Sequence, residues 1–376
     1  MGAVSTGGSA RQVGWGIWGT GAIAHDVAAD FPFVAGAQLR AVASRTLANA
    51  QRFALRHRVF NSYEGLASLL ADPKVEVVYI ATPHTRHAED SLACIKAGKA
   101  VLCEKPFTVN AAQAETVARA ARERGVFCME AMWTRFIPAV QAAREHIRSG
   151  HMGALHLIQG NFAYPAAYEP RDRLFDLALA GGALLDRGVY LISMCEYLMG
   201  TPLSVHGSAA LGRSGVDESS AYQLTHKDGS LACLSASLRV QGSNDFQVFG
   251  ERGSFRLVEP FYRSHRLELG SVVARNADSQ ADPLPRLGSG LKERLRGSAT
   301  LKGLRRRGHW LRQLKPTAGR TLAFPGNGYQ FEIAEVTRCL QQGLLESPTM
   351  PLDESINVMK TMDTLRRQWG LVYPQE

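Results

Sequence analysis

The stretch VLCEKPFT, Val101 to Thr108, sets an acid, a lysine and a proline directly behind a short apolar run. Lysine is rarely buried and proline lacks a backbone donor, so this is an odd way to end a core strand. A second motif supplies the context. Gly19-Thr20-Gly21-Ala22-Ile23-Ala24 reads G-x-G-x-x-A between an apolar run, VGWGIW, and a helical pattern. There Gly19 permits a tight turn and Gly21 lets backbone approach a pyrophosphate. Ala24 allows close helix–strand packing, and the helix N-terminus favours negative charge. The motif alone is a weak signal, and a structural glycine turn is the plain alternative. Its position between strand and helix makes it a dinucleotide site, with Thr20, Ala22 and Ile23 in the binding loop.

These motifs need elements to hold them. Short apolar runs at 13–18, 39–43, 76–81, 100–103 and 126–129 read as strands, and 85–97 and 110–124 read as helices. Such alternation implies βαβ units and a parallel sheet covered on both faces. Beyond about residue 150 the rhythm changes. Partly alternating stretches at 154–162, 203–210, 219–226, 231–240, 244–249 and 253–258 predict a mostly antiparallel sheet with one open face. An apolar helix at about 183–199 precedes most of them, and helical patterns return at 330–343 and 353–368.

In an open α/β sheet, ligands bind beyond the carboxyl ends of the strands. The second strand ends in ASRT, with no acid to take a ribose 2′-hydroxyl. Ser44 and Arg45 offer a hydroxyl and a guanidinium instead. Both suit a 2′-phosphate, so NADP is expected over NAD. The next edge carries Thr82, Pro83, His84 and His87, expected as cofactor contacts or caps. The two histidines are zinc candidates in principle, but no third ligand is apparent, and no metal is expected. Lys105 follows the next strand at the same edge. Partly desolvated there, it is suited to donate to a substrate oxygen, with Pro106 fixing its turn and Glu104 orienting it or capping local backbone. A solvated structural lysine is the alternative.

Charge excludes one class of partner. The chain has 376 residues and a net charge of +9, but 284–320 holds eleven Lys or Arg and one acid. That segment alone carries +10, and the rest of the chain sums to −1. The basicity is local, and nucleic acid is not an expected partner. Six scattered cysteines without a C-x-x-C pair read as reduced, mostly buried thiols of a cytoplasmic protein. Residues 1–11 read as a flexible tail.

At this point the sequence resembles the glucose–fructose oxidoreductase/inositol dehydrogenase/MocA-type oxidoreductases. GTGAIA, ATPHTRHAE, CEKPFTVN, MEAMWTRFIP, GGALLDRGVY and ESPTMPLDESINVMKTMDTLR all carry the likeness, over nearly the whole chain. The pattern is nearest the NADP-dependent dihydrodiol dehydrogenase and D-xylose dehydrogenase branch. The resemblance implies an α/β protein: a Rossmann doubly wound parallel sheet over 12–132, then a substrate and dimerisation domain over 133–376 with a large, mostly antiparallel open-faced sheet. It implies hydride transfer between nicotinamide and a hydroxyl-bearing carbon of a sugar, sugar derivative or cyclic diol.

The resemblance also assigns roles. Tyr190 transfers a proton and Lys105 supports it. Asp186, four residues away on the same helix face, binds substrate or orients the pair. A phenol beside a lysine cation is expected to have a lowered pKa. Trp133 and Arg135 are expected near the nicotinamide, with Arg187 and Tyr164 as substrate contacts. Arg187 replaces an expected apolar residue; it binds an anionic group or points to solvent. Gly188, in a helix interior, suggests close approach of cofactor or substrate. A homodimer through the open sheet is implied. An NAD-dependent, redox-assisted glycoside hydrolase and a non-catalytic dinucleotide-sensing regulator are the rival readings.

The basic segment is an expected insertion at about 275–322. Leu301, Leu304, Leu311 and Leu314 share a helical face amid arginines. A solvated excursion, a helix on anionic lipid, and a lid or partner-binding element are the readings open for it.

Overall fold

The computed structural model describes residues 11–271 and 318–376. The expected tail up to residue 10, and the basic segment up to residue 317, lie outside the described residues.

The first half alternates strands and helices as the apolar runs require. Its strands are β1 (Val13–Trp18), β2 (Ala37–Ser44), β3 (Asn61–Glu64), β4 (Val77–Ile80), β5 (Ala100–Glu104) and β6 (Cys128–Ala131). All pair in parallel, in the order β3-β2-β1-β4-β5-β6. β1, β4, β5 and β6 are buried along their whole length, as a sheet covered on both faces demands. Helices α1 (Ala22–Asp30), α2 (Leu47–His57), α3 (Gly65–Leu70), α4 (His87–Lys96) and α5 (Ala111–Arg124) connect them. Local chemistry sets their ends. Asn110 caps α5 by accepting from the Gln113 N–H at 3.0 Å, and Gly125 closes it at φ 61°. β3 is an edge strand of sequence NSYE, too polar and short for apolar patterning to reveal.

The second half contains α6 (Pro138–Arg148), β7 (Leu155–Ala163), α7 (Val189–Met199), β8 (Ser204–Leu211), β9 (Asp217–Thr225), β10 (Leu231–Ser237), β11 (Phe246–Gly250), β12 (Gly253–Leu257), β13 (Arg266–Ser271), β14 (Ala318–Thr321), α8 (Gln330–Gln341) and α9 (Leu352–Trp369). Its strands form one eight-stranded sheet, β14-β13-β12-β11-β7-β10-β9-β8. Among the described residues, only the β7–β10 pair of this sheet is parallel. Two strands, β13 and β14, were not legible in the apolar pattern. β14 forms inside the span expected as insertion, pairing antiparallel with β13 and extending the sheet edge.

Helices α6, α7 and α9 pack on one face of this sheet. The segment Leu177–Met199 is apolar enough to cross a membrane by composition. However, 83% of its window is buried, as befits a core helix. The C-terminal helices also join the two halves. α9 lies against α5, and the Asp363 carboxylate accepts from the Ala111 N–H at 2.8 Å. The turn before α8 is tied to α1, because Asp30 accepts from the backbone N–H groups of Asn327 and Tyr329, both at 2.9 Å.

Candidate active site

The carboxyl ends of β1, β2, β4 and β5 place Gly19, Ser44, Thr82 and Lys105 along one edge. Gly19 sits at φ 111°, and a Cβ there would lie 2.5 Å from the Ala81 carbonyl oxygen, so only glycine fits. Gly21 differs. A Cβ on it would meet nothing within 4 Å, so packing within the chain gives no reason for glycine there. Gly21 is also the N-cap of α1 and offers no side-chain cap, which leaves the first N–H groups of the helix to an outside acceptor. Ala22 is exposed, Ile23 is half-buried and Ala24 is fully buried under the helix. Thr20 Oγ1 lies 3.2 Å from Ser44 Oγ, joining the loop to the end of β2, and Arg45 stands exposed beside them. This loop fits a dinucleotide carrying a 2′-phosphate.

The next edge is built by hydrogen bonds. Thr82 Oγ1 and Trp18 Nε1 both donate to Asp90 Oδ2, at 2.8 and 2.9 Å. Pro83 stays exposed and begins the turn. His87 is not a ligand contact: it is completely buried, its nitrogens 2.8 Å from the Pro106 oxygen and 2.9 Å from the Thr82 oxygen. It staples the two strand-end turns together. His84 is also buried, Nδ1 3.4 Å from the Ala180 oxygen, and burial drives its pKa well down, keeping it neutral.

Lys105 meets Asp186 across 81 residues of sequence. Its Nζ donates to the Asp186 backbone oxygen at 2.9 Å and to Oδ1 at 3.2 Å. Behind it, the Glu104 carboxyl accepts from the Tyr79 hydroxyl and from the Lys105 N–H. Glu104 therefore both caps local backbone and braces the lysine's turn. Burial raises its pKa. Asp186 belongs to a wide π-type turn, Leu184–Gly188, that runs into α7. Asp217 of β9 caps this turn, accepting from the Leu184 N–H at 2.8 Å; burial pushes its carboxyl up to about 7. Asp186 is held far below the usual carboxylate range. Its burial is overcome by Lys105 first, then Arg173, whose Nη1 lies 2.8 Å from Oδ1.

Tyr190 is 6% exposed, and the Lys105 ammonium lies 4.9 Å from its ring centroid. The cation thus sits over the ring face. The phenol oxygen instead accepts from Trp133 Nε1 at 3.0 Å. The expected lowering of the Tyr190 pKa is overturned: burial raises it well above 10, with Tyr329 and Glu104 adding to the rise and the Trp133 bond opposing it. The neutral phenol is the resting form, a proton donor whose conjugate base requires stabilisation. Trp133 is fixed in turn by Tyr329, with ring centroids 4.5 Å apart. Gly328, at φ 109°, has no room for a Cβ against the indole.

Trp133→Phe should therefore loosen Tyr190 and remove a donor to its oxygen. We expect kcat to fall roughly tenfold, for about 1.4 kcal/mol of lost hydrogen bonding, and the basic limb of the kcat profile to move to higher pH. A pH–rate series checks this. An unshifted limb would leave the indole a packing residue only.

Three further expectations are corrected. Arg135 is completely buried, so it is closed to any cofactor; its guanidinium binds Ser193, the Thr349 oxygen and Glu354. Gly188 is explained by Tyr222, whose hydroxyl would lie 2.7 Å from a Cβ, rather than by a ligand. Arg187 does not point to solvent. It is 8% exposed, and its Nη1 donates to the Tyr164 and Ser237 carbonyl oxygens. The half-buried Tyr164 ring packs edge-on to Phe162, centroids 5.9 Å apart.

Sequence reasoning missed Arg173, Tyr262 and Tyr329. Tyr262 stacks on Phe162 at 4.7 Å and stands 6.0 Å from both Tyr190 and Trp133. Arg173 lies in the charged loop EPRDRLFD, where no periodicity marks one residue out. Tyr329 had a faint signal in GNGYQFE, a glycine turn entering a helix.

The matches to known proteins agree with this geometry. Residues 13–132 match the oxidoreductase family with an NAD-binding Rossmann fold, and residues 140–256 match the GFO/IDH/MocA C-terminal domain. The chain is 33% identical over 367 residues to trans-1,2-dihydrobenzene-1,2-diol dehydrogenase of Bos taurus, covering 96% of this chain and 98% of that protein. It is 31% identical over 397 residues to D-xylose 1-dehydrogenase (NADP(+)) of Hypocrea jecorina, covering 96% and 93%. In fold it resembles a levoglucosan dehydrogenase solved with NADH and levoglucosan, with a TM-score of 0.75 at 23% identity over 97% of this chain and 100% of that one. With both halves matched and such relatives covered over nearly their whole length, the chain belongs to the Gfo/Idh/MocA family of oxidoreductases.

Proposed function

We propose that the protein is an NADP-dependent dehydrogenase or reductase acting on a hydroxyl-bearing carbon of a sugar, sugar derivative or cyclic diol. The observation that carries this reading is the convergence of Lys105, Asp186 and Tyr190 at the strand edge that the glycine loop serves. Named relatives in the dihydrodiol and NADP-linked xylose dehydrogenases support the substrate class and cofactor. Bound NADP supplies or accepts hydride at its nicotinamide. The chain's own task is the proton and the pose. Tyr190 holds the proton at its phenol oxygen and exchanges it with the substrate oxygen. The Trp133 N–H and the Lys105 ammonium stabilise charge that develops on that oxygen. Asp186 keeps Lys105 extended over the ring and stays ionised, able to accept from a substrate hydroxyl. Absorbance of reduced nicotinamide across a panel of sugars and diols tests the reading; no turnover by the NADP-loaded protein would overturn it.

Arg45 is the residue proposed to prefer NADP. Arg45→Ala should weaken NADP binding by about 1.5–3 kcal/mol, the worth of a hydrogen bond to a charged group, and leave NAD nearly unchanged. Titration with both cofactors measures this, and equal losses would remove Arg45 from the selection.

Two coarser features complete the reading. We propose a homodimer through the open face of the second sheet, where the exposed residues His206, Ala221, Gln223 and Cys233 include no carboxylate, ammonium or guanidinium. Five of the six free cysteines are buried, which suits a reducing compartment, and we propose the cytoplasm.

A further inference from the structure

Arg187 is the feature of this site that the proposed chemistry does not use. It stands in the π-type turn next to Asp186 and is 8% exposed. A buried guanidinium requires both a counter-charge and partners for its five donors. Nη1 has the two carbonyl oxygens of Tyr164 and Ser237. Nε is 3.7 Å from Asp186 Oδ2, a charge contact beyond hydrogen-bond length. Neither Nε nor Nη2 has a hydrogen-bond partner among the described residues, yet neither belongs to the buried atoms sealed from solvent. Donors therefore remain, and they can be reached.

The counter-charge is also short. Asp186 faces three cations: Arg173 at 2.8 Å, Lys105 at 3.2 Å and Arg187 at 3.7 Å. Of the other carboxyls nearby, Asp172 acts on Arg173, and Glu104 lies behind Lys105, engaged by the Tyr79 hydroxyl and the Lys105 N–H. Asp186 is thus the one carboxylate within ion-pair reach of Arg187 among the described residues, and Arg187 shares it with two other cations. Burial lowers the Arg187 pKa with Asp186 opposing, the sign of a cation that its surroundings under-compensate. Arg173 reaches the other oxygen of the same carboxylate, Oδ1, and 54% of its side chain is exposed.

Resting on the dehydrogenase reading above, we infer that the substrate carries an anionic group, a carboxylate or a phosphate, received by the unengaged donors of Arg187 together with Arg173. The anion supplies the missing charge where Asp186 leaves off, and its hydroxyl-bearing carbon then lies toward Lys105 and Tyr190. A sugar acid or sugar phosphate has this chemistry.

The test uses the full chain loaded with NADP and a panel in matched arms: neutral sugars, their uronic and aldonic acids, and their phosphate monoesters. The expected result is kcat/KM at least tenfold higher for one anionic arm than for its neutral partners, with KM for that arm rising with ionic strength. The arm that leads tells carboxylate from phosphate. Arg187→Met and Arg173→Met should each reduce the anionic-to-neutral ratio about tenfold or more, through KM. If Arg187 only ties β7 to β10, Arg187→Met lowers Tm and leaves the ratio unchanged, and the inference falls. Should Arg187→Met not fold, Arg173→Met and the salt dependence decide. Neutral sugars turned over as well as the acids would overturn the inference while leaving the dehydrogenase reading intact. If nothing in the panel turns over, the dehydrogenase reading fails, and calorimetric titration of the NADP-loaded protein with gluconate and with glucose 6-phosphate still decides the anion site: heat from neither would refute it.

Discussion

Tyr190→Phe is expected to lower kcat by roughly 10²–10⁴, the range for loss of a positioned acid–base group. The ring stays, so packing against Phe162 and Tyr262 and the contact with Lys105 are kept. Only the proton carrier is lost. NADP affinity should hold, since no part of the glycine loop is touched. Lys105→Met should have a similar effect on kcat for a different reason: the phenol loses the ammonium that lies over its ring. Asp186 then keeps Arg173 at 2.8 Å, so the fold has a remaining counter-charge at that point. The double variant should be little worse than either single one, because groups that act on one proton are not additive. Steady-state rates at saturating NADP, with cofactor affinity measured in parallel, check all three. Near-normal turnover by Tyr190→Phe would remove the phenol from the reaction.

The second large effect is on stability. Arg135→Met should destabilise the fold by about 3–5 kcal/mol, the cost of breaking a buried ion pair by removing one partner. Arg135 has no exposed surface, and its guanidinium holds Ser193 on α7 and Glu354 on α9 together. Glu354 retains 31% exposure and reaches water on its own, which favours the lower end of that range. A buried neighbour adds a pH signature. Burial pushes the Glu196 carboxyl up to about 8, and Arg135 is the first group opposing that rise. A raised folded pKa means the native state holds a proton that the unfolded chain releases, so this part of the stability is complete at low pH and is lost as pH rises toward 8. Without Arg135 the ionised Glu196 has less support, and the deficit of the variant should widen above pH 8. Denaturant titrations at pH 6 and pH 9 measure it. The folded fraction should bind NADP normally. A stable variant with weakened NADP affinity would return Arg135 to the cofactor site.

The sequence by itself determined the elements and the edge on which chemistry is done. Apolar runs and turn residues act over a few positions, and they marked β1, the glycine turn and most strands of the second sheet. They failed where local chemistry carries no signal, at the polar edge strand β3 and at β13 and β14, whose partners lie outside any short window. Lys105 was legible because a strand end has an address. Its partner Asp186 came from the family resemblance and not from any local signal: the tertiary structure brings it across 81 residues to the ammonium, and only there does the carboxylate collect Arg173 and Arg187 as well. Burial is decided at the same level. It turned Tyr190 from a phenol expected to ionise easily into one held neutral, because removal from water outweighs a cation placed over the ring face. It made His87 a staple and Arg135 a strut, since a side chain without exposed surface has no ligand to meet. Residue type and spacing carry local geometry, while solvent access and charge balance belong to contacts between distant segments, and those contacts set what each group at this site can do.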